Sequence, residues 1–149
     1  MLVKTVDKFD LTWGYYIYVQ IYSNPMFIEK YGIKFHPNFF LLHKAFGAIT
    51  LFGHVFVRKS LDALKRWLDT FSGRKMANHE RIHMIQADSF KTKYFGFYCY
   101  YLAYWVKNLF KYGFNINAYH NIPFEREAYA NELDFDYNET HWRDRKSVV

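Results

Sequence analysis

The chain has 149 residues, 51% of them hydrophobic, a net charge of +6 and one cysteine. It is long enough to bury one core without staples, too apolar for a disordered polypeptide, and unable to form an internal disulfide. The aromatic share of 23%, with 14 Tyr and 16 Phe, favours strands and dense cores, and the basic balance permits an anionic partner without requiring one.

The opening MLVKTVDKFD is charged early and has no apolar stretch before a cleavage site. It does not read as a signal peptide, and a cytoplasmic location is the expectation. In YYIYVQIY (Tyr15 to Tyr22), Ile17, Val19 and Ile21 alternate with Tyr and Gln, a strand pattern closed by a turn at Asn24-Pro25. IKFHPN is a short extended piece ending at Pro37-Asn38. AITLFGHVFVRK (Ala48 to Lys59) predicts one bent strand or two short ones about Gly53. Ser60 is a cap for LDALKRWLDTF, with Leu61, Leu64, Leu68 and Phe71 on one face and Ser72-Gly73 as its end.

A second helix is expected from about Met76 to Ser89, with Asn78 as its cap or in its first turn. A third is expected from Thr92 to Tyr112, with Tyr98, Leu102, Trp105 and Leu109 as its apolar stripe and Gly113 as its end. Residues 94–110 are short for a membrane span and contain Lys107 and Asn108. Burial of this helix in the core is expected, with an interfacial helix and peripheral membrane contact left open. Cys99, inside the same aromatic run, is expected to be a buried apolar residue. Asn115 to Ile122 reads as a loop. Pro123 suits the first turn of a fourth helix, PFEREAYANELDF, and the tail from about residue 139 is expected to fray. Strands first and helices second predict a single α+β domain over 1–149, with helices on one side of an antiparallel sheet.

The stretch NHERIHMIQ carries the chemistry. His79 and His83 are four residues apart, so a helix sets both rings on one face, one turn apart. Two imidazoles so placed can reach one zinc ion at about 2.0–2.1 Å. Glu80 lies about 100° round the helix, beyond ligand reach but able to meet a water on that ion as a general base. The composition gives roughly 0.01 chance occurrences of this pattern in the chain. The three-histidine version of such a site is excluded, because Gln86 and Ser89 occupy its Gly and third His positions. A carboxylate from a later helix is the other solution, and PFEREAYANE supplies Glu125 and Glu127. Gln86 shares the histidine face and is a candidate to orient a ligand or contact substrate. Tyr119 and His120 are the nearest candidates to stabilise an oxyanion. His36, His43, His54 and His141 show no ligand spacing.

His-Glu-x-x-His followed by a helix with Glu-x-x-Ala resembles the gluzincin group of zinc peptidases, over about residues 76–132. The resemblance implies a zincin-like fold, one zinc ion, a later-helix Glu as third ligand and a supporting Asp or Asn four residues on. Counted from Glu125, that supporting position is Tyr129; counted from Glu127, it is Asn131. The chain is also similar to short uncharacterised bacterial metallopeptidase-like proteins that pair His-Glu-x-x-His-x-x-Gln with Glu-x-x-Ala, which favours Glu125 over Glu127. The implied activity is zinc-dependent hydrolysis of a peptide or protein substrate, with Glu80 as the base.

Two other readings compete. One is a non-catalytic basic aromatic module for membrane surface or nucleic acid, supported by Lys91, Lys93, Lys107 and Lys111 around the third helix. Helical spacing of the aromatics argues against nucleic acid. The other is an inactive zinc-binding zincin that serves as an interaction domain. Oligomeric state is not legible.

Overall fold

The structure is a computed structural model that describes residues 27–39 and 48–138. The Tyr15–Tyr22 strand, the Asn24-Pro25 turn and the tail from residue 139 lie outside the described residues. Among the described residues four short strands come first: β1 (Ile28–Lys30), β2 (Ile33–His36), β3 (Ala48–Leu51) and β4 (His54–Val57). Five helices follow: α1 (Leu61–Leu68), α2 (Phe71–Asp88), α3 (Tyr94–Tyr112), α4 (Ile116–His120) and α5 (Pro123–Asn131).

Two tight hairpins build the sheet. Tyr31-Gly32 and Phe52-Gly53 join their strands with positive φ at both residues (56° and 72°, 52° and 81°). Paired left-handed residues make the turn whose twist matches the flanking strands. The Ala48 to Lys59 stretch is therefore two strands, paired Leu51 to His54 and Ala48 to Val57. The φ of 81° favours glycine at position 53, and a Cβ there would also push against the end of the Tyr94 side chain, 2.6 Å from its hydroxyl.

The sheet order is β1-β2-β4-β3, and β2 pairs with β4 in parallel, Phe35 opposite Val55. The expected all-antiparallel sheet is thus corrected to a mixed one. Each hairpin is antiparallel within itself, but the two are joined along strands that run the same way. Period-two patterning fixes strand faces and says nothing about strand order. Among the described residues the β3 strand is left at an edge.

Ile33, Phe35, Val55 and Val57 pack with Leu64, Leu68 and Ala77, so α1 and α2 cover one sheet face. Ser60 caps α1, accepting from the Ala63 amide. That helix stops at Leu68, earlier than expected, because Thr70 caps α2 and accepts from the Gly73 amide at 3.1 Å. Ser72 and Gly73 thus open α2 instead of closing α1. A Cβ at Gly73 would lie 2.0 Å from the Trp67 carbonyl, so glycine permits the sharp helix junction.

Asn78 lies well inside α2, not at its cap. Its side-chain amide donates to the carbonyls of Asn131, Glu132 and Asp134, clamping the end of α5 against α2. The expected loop before Pro123 contains α4, whose cap Asn115 accepts from the Asn117 amide. Pro123 does open α5, with Glu125 in its first turn.

The α3 helix differs most from expectation. Phe97 and Asn108 are its buried residues, while Leu102, Trp105 and Cys99 are exposed. Its core face is Phe97 with Tyr94, Tyr98, Tyr101 and Tyr104, packed with Phe90, Ile122 and Phe124. With aromatic residues on every side of the helix, spacing alone could not choose the buried side. Among the described residues no helix is long and apolar enough to cross a membrane.

Candidate metal centre

Five polar residues of α2 are buried: Asn78, His79, Glu80, His83 and Gln86. Buried polar groups cost free energy unless partnered, so each of these must be bonded to a neighbour or face a ligand.

The α5 helix brings Glu125 to the two histidines. The Nε2 atoms of His79 and His83 are 3.2 Å apart. Glu125 Oε2 lies 3.3 Å from His79 Nε2, and Glu125 Oε1 lies 3.3 Å from His83 Nε2. Donors held at 2.0–2.1 Å in tetrahedral geometry sit about 3.3 Å from one another. The two histidine nitrogens match that spacing, while Glu125 meets them through different oxygens; one donor atom from each residue lies within 4.8 Å of the others, close enough to hold a metal ion. Among the described residues these three form the one cluster with metal-ligand spacing. Glu125 Oε2 is buried with no hydrogen-bond partner, as an oxygen reserved for an ion would be.

The surroundings fix which histidine nitrogen faces the cluster. Gln86 Nε2 donates to the Phe124 carbonyl at 3.0 Å and to Glu127 Oε2 at 2.8 Å. Its Oε1 is therefore the acceptor for His83 Nδ1, at 2.8 Å. With the proton on Nδ1, neutral His83 presents the lone pair of Nε2 to the cluster. Glu127 is itself held by the Tyr137 hydroxyl at 2.7 Å. Glu127, the alternative third ligand, thus stands one step back in a Tyr137–Glu127–Gln86–His83 chain.

On the other histidine, Glu132 Oε2 lies 3.5 Å from His79 Nδ1. Neither frame of the sequence motif places a supporting group at Glu132. Of the residues the frames do point to, Tyr129 packs edge-on against the His79 ring at 4.6 Å, and Asn131 donates to the Glu127 carbonyl instead of a histidine. Tyr101 donates to Glu125 Oε1 at 2.7 Å, a contact that nothing in its aromatic run foretells.

Electrostatics follow the geometry. Burial pulls the His83 pKa down, but the Glu125 carboxylate outweighs it, with Glu80 and Gln86 adding to the rise, and the ring is raised to about 9. Burial would push Glu125 up, yet His83 and His79 hold it well below the usual carboxylate range. Burial, then the Glu125 charge, raises the pKa of both Tyr101 and Tyr119, so both stay protonated donors.

A cleft of about 640 Å³ reaches the cluster, with Glu80, His83 and Glu125 in its lining. One wall is β3 and the other is α3, through Tyr98, Tyr101 and Trp105. Thr50 of β3 donates its hydroxyl to Glu80 Oε2 at 2.5 Å. Tyr119 lines the cleft, whereas His120 is exposed and stacks on Tyr129 at 5.0 Å. Outside the cluster, His36 Nε2 and His54 Nδ1 meet at 2.8 Å across β2 and β4, and no third metal donor joins them among the described residues.

Comparison with family models, curated proteins and solved structures finds no match to this chain.

Proposed function

We propose that the chain is a zinc-dependent hydrolase of peptide bonds, of the gluzincin-like kind that its motifs resemble. The observation that carries this reading is the His79–His83–Glu125 cluster, which a cleft lined by His83, Glu125 and Glu80 reaches. Zinc held by these three residues supplies a Lewis acid and brings water towards a neutral pKa. His83 is kept in the ligating tautomer by Gln86, and Glu132 stands behind His79. Glu80, steadied by Thr50, is placed to take the proton of the attacking water and return it to the leaving amine. Tyr119, one of the hydroxyl-bearing residues lining the cleft, is the candidate to meet a developing oxyanion.

A peptide substrate is favoured by the cleft wall. Among the described residues the β3 strand is an edge strand, and edge strands accept an extended chain as one strand more. Leu51 and His54 close a two-residue hairpin, so Thr50 turns its main-chain groups outward, away from β4. The Tyr98 hydroxyl takes two of these edge positions, donating to the Thr50 carbonyl at 3.1 Å and accepting from the Phe52 amide at 2.9 Å. A substrate strand that pairs there displaces Tyr98.

The test is metal analysis followed by turnover. The purified chain should hold one zinc per chain and cleave an unstructured peptide mixture, and Glu80→Gln should keep the zinc while losing cleavage. A chain that takes up no zinc, and whose melting a chelator does not change, refutes the reading.

A further inference from the structure

The α3 helix has a face that serves neither the core nor the cleft. Phe95, Cys99, Leu102, Val106 and Phe110 fall within about 80° of its circumference at 100° per residue. All five are exposed, Phe110 at 89% and Phe95 at 71%. Phe114 and Ile116, just past the helix end, extend the apolar surface at 93% and 59% exposure. Contiguous apolar surface of this kind on a folded chain marks a contact site.

Charge identifies the partner. From Ser89 to Phe124 the chain has four lysines and no carboxylate. Lys107 and Lys111 lie along one flank of the apolar face, and Lys91 and Lys93 stand before the helix start; all four are exposed. An apolar stripe with a lysine flank, on a helix unable to span, is the pattern of a helix lying in the headgroup region of an anionic bilayer. Lysine stems reach along apolar surface while their heads stay at the phosphates. A nucleic acid would find cations here but no polar donors on the stripe itself.

We infer that α3 docks the protein on anionic membrane surface through Phe95, Leu102, Val106, Phe110 and Phe114, with Lys107 and Lys111 beside the lipid phosphates. Trp105 and Leu109, next round the helix, line the cleft together with Phe114 and Ile116. The cleft mouth therefore opens beside the bilayer, where an apolar chain segment would meet it. Docking does not depend on the hydrolase reading.

The experiment is co-sedimentation of the full chain with vesicles of phosphatidylcholine alone and of phosphatidylcholine with about one third phosphatidylglycerol. The chain should bind the anionic vesicles at least tenfold more tightly, and high salt should reduce that preference. The double variant Leu102→Glu, Phe110→Glu should lose at least tenfold in binding with an unchanged melting temperature, because both side chains are exposed. Lys107→Glu with Lys111→Glu should weaken binding to the anionic vesicles alone. Failure to bind either vesicle, or equal binding by the Leu102/Phe110 variant, overturns the inference. So does light scattering that shows a dimer of this chain which the same double variant dissociates.

Discussion

Gln86→Met tests the buried chain behind His83. Methionine keeps the length and nearly the volume of glutamine, so packing changes little. The substitution removes three hydrogen bonds: to His83 Nδ1, the Phe124 carbonyl and Glu127 Oε2. Gln86 is fully buried, so water cannot replace them. Each stranded group costs about 1–3 kcal/mol, which gives roughly 3–9 kcal/mol for the three, weighted towards the Glu127 carboxylate. Loss of the Nδ1 partner also frees the His83 tautomer, and such a change weakens zinc about 10–100-fold. Urea unfolding of chelator-treated protein reads the first quantity, and zinc titration against a chromophoric chelator reads the second. Destabilisation below about 1 kcal/mol with unaltered zinc affinity would refute the relay. A loss of stability with zinc affinity intact would reduce Gln86 to a packing residue.

Other expectations follow from the same geometry. Glu125→Ala should abolish zinc binding, whereas Glu127→Ala should retain it and lower stability by about 3 kcal/mol, through the stranded Gln86 amide and Tyr137 hydroxyl; metal analysis and urea melts separate the two. Glu80→Gln should lower turnover of a zinc-loaded enzyme about 10²–10⁴-fold, and turnover equal to wild type would remove Glu80 from the mechanism. Tyr98→Phe frees the Thr50 carbonyl and the Phe52 amide, so KM for extended peptides should fall about 3–10-fold, the worth of roughly one net hydrogen bond; an increase would mean that substrate does not pair with β3. For metal-free protein, His83 is raised from 6.5 to about 9, so its contribution is complete below pH 6.5 and is lost as pH rises through about 9. Glu125 is depressed from 4.5, so its share is complete above pH 4.5 and is lost in stronger acid. Chelated protein should therefore be most stable between about pH 4.5 and 6.5, and a melting temperature that climbs from pH 6.5 to 9 would contradict the pairing.

The sequence by itself determined what local rules control. Four-residue spacing placed His79 and His83 on one face, Pro123 opened the helix of Glu125, and Ser60 capped α1, because each depends only on near neighbours and on 3.6 residues per turn. Strand order did not follow, since two antiparallel hairpins can be joined in either direction without altering any residue pattern. The buried side of α3 did not follow either, because an aromatic residue reads as core wherever it stands on the helix. Only the tertiary structure shows which of Glu125 and Glu127, two residues apart and therefore on opposite sides of α5, lies beside the histidines. One side faces the histidines, and the other faces Gln86 and Tyr137. It also placed Glu132 behind His79, through a clamp by Asn78 more than fifty residues away in the chain, a distance over which sequence spacing carries no geometry.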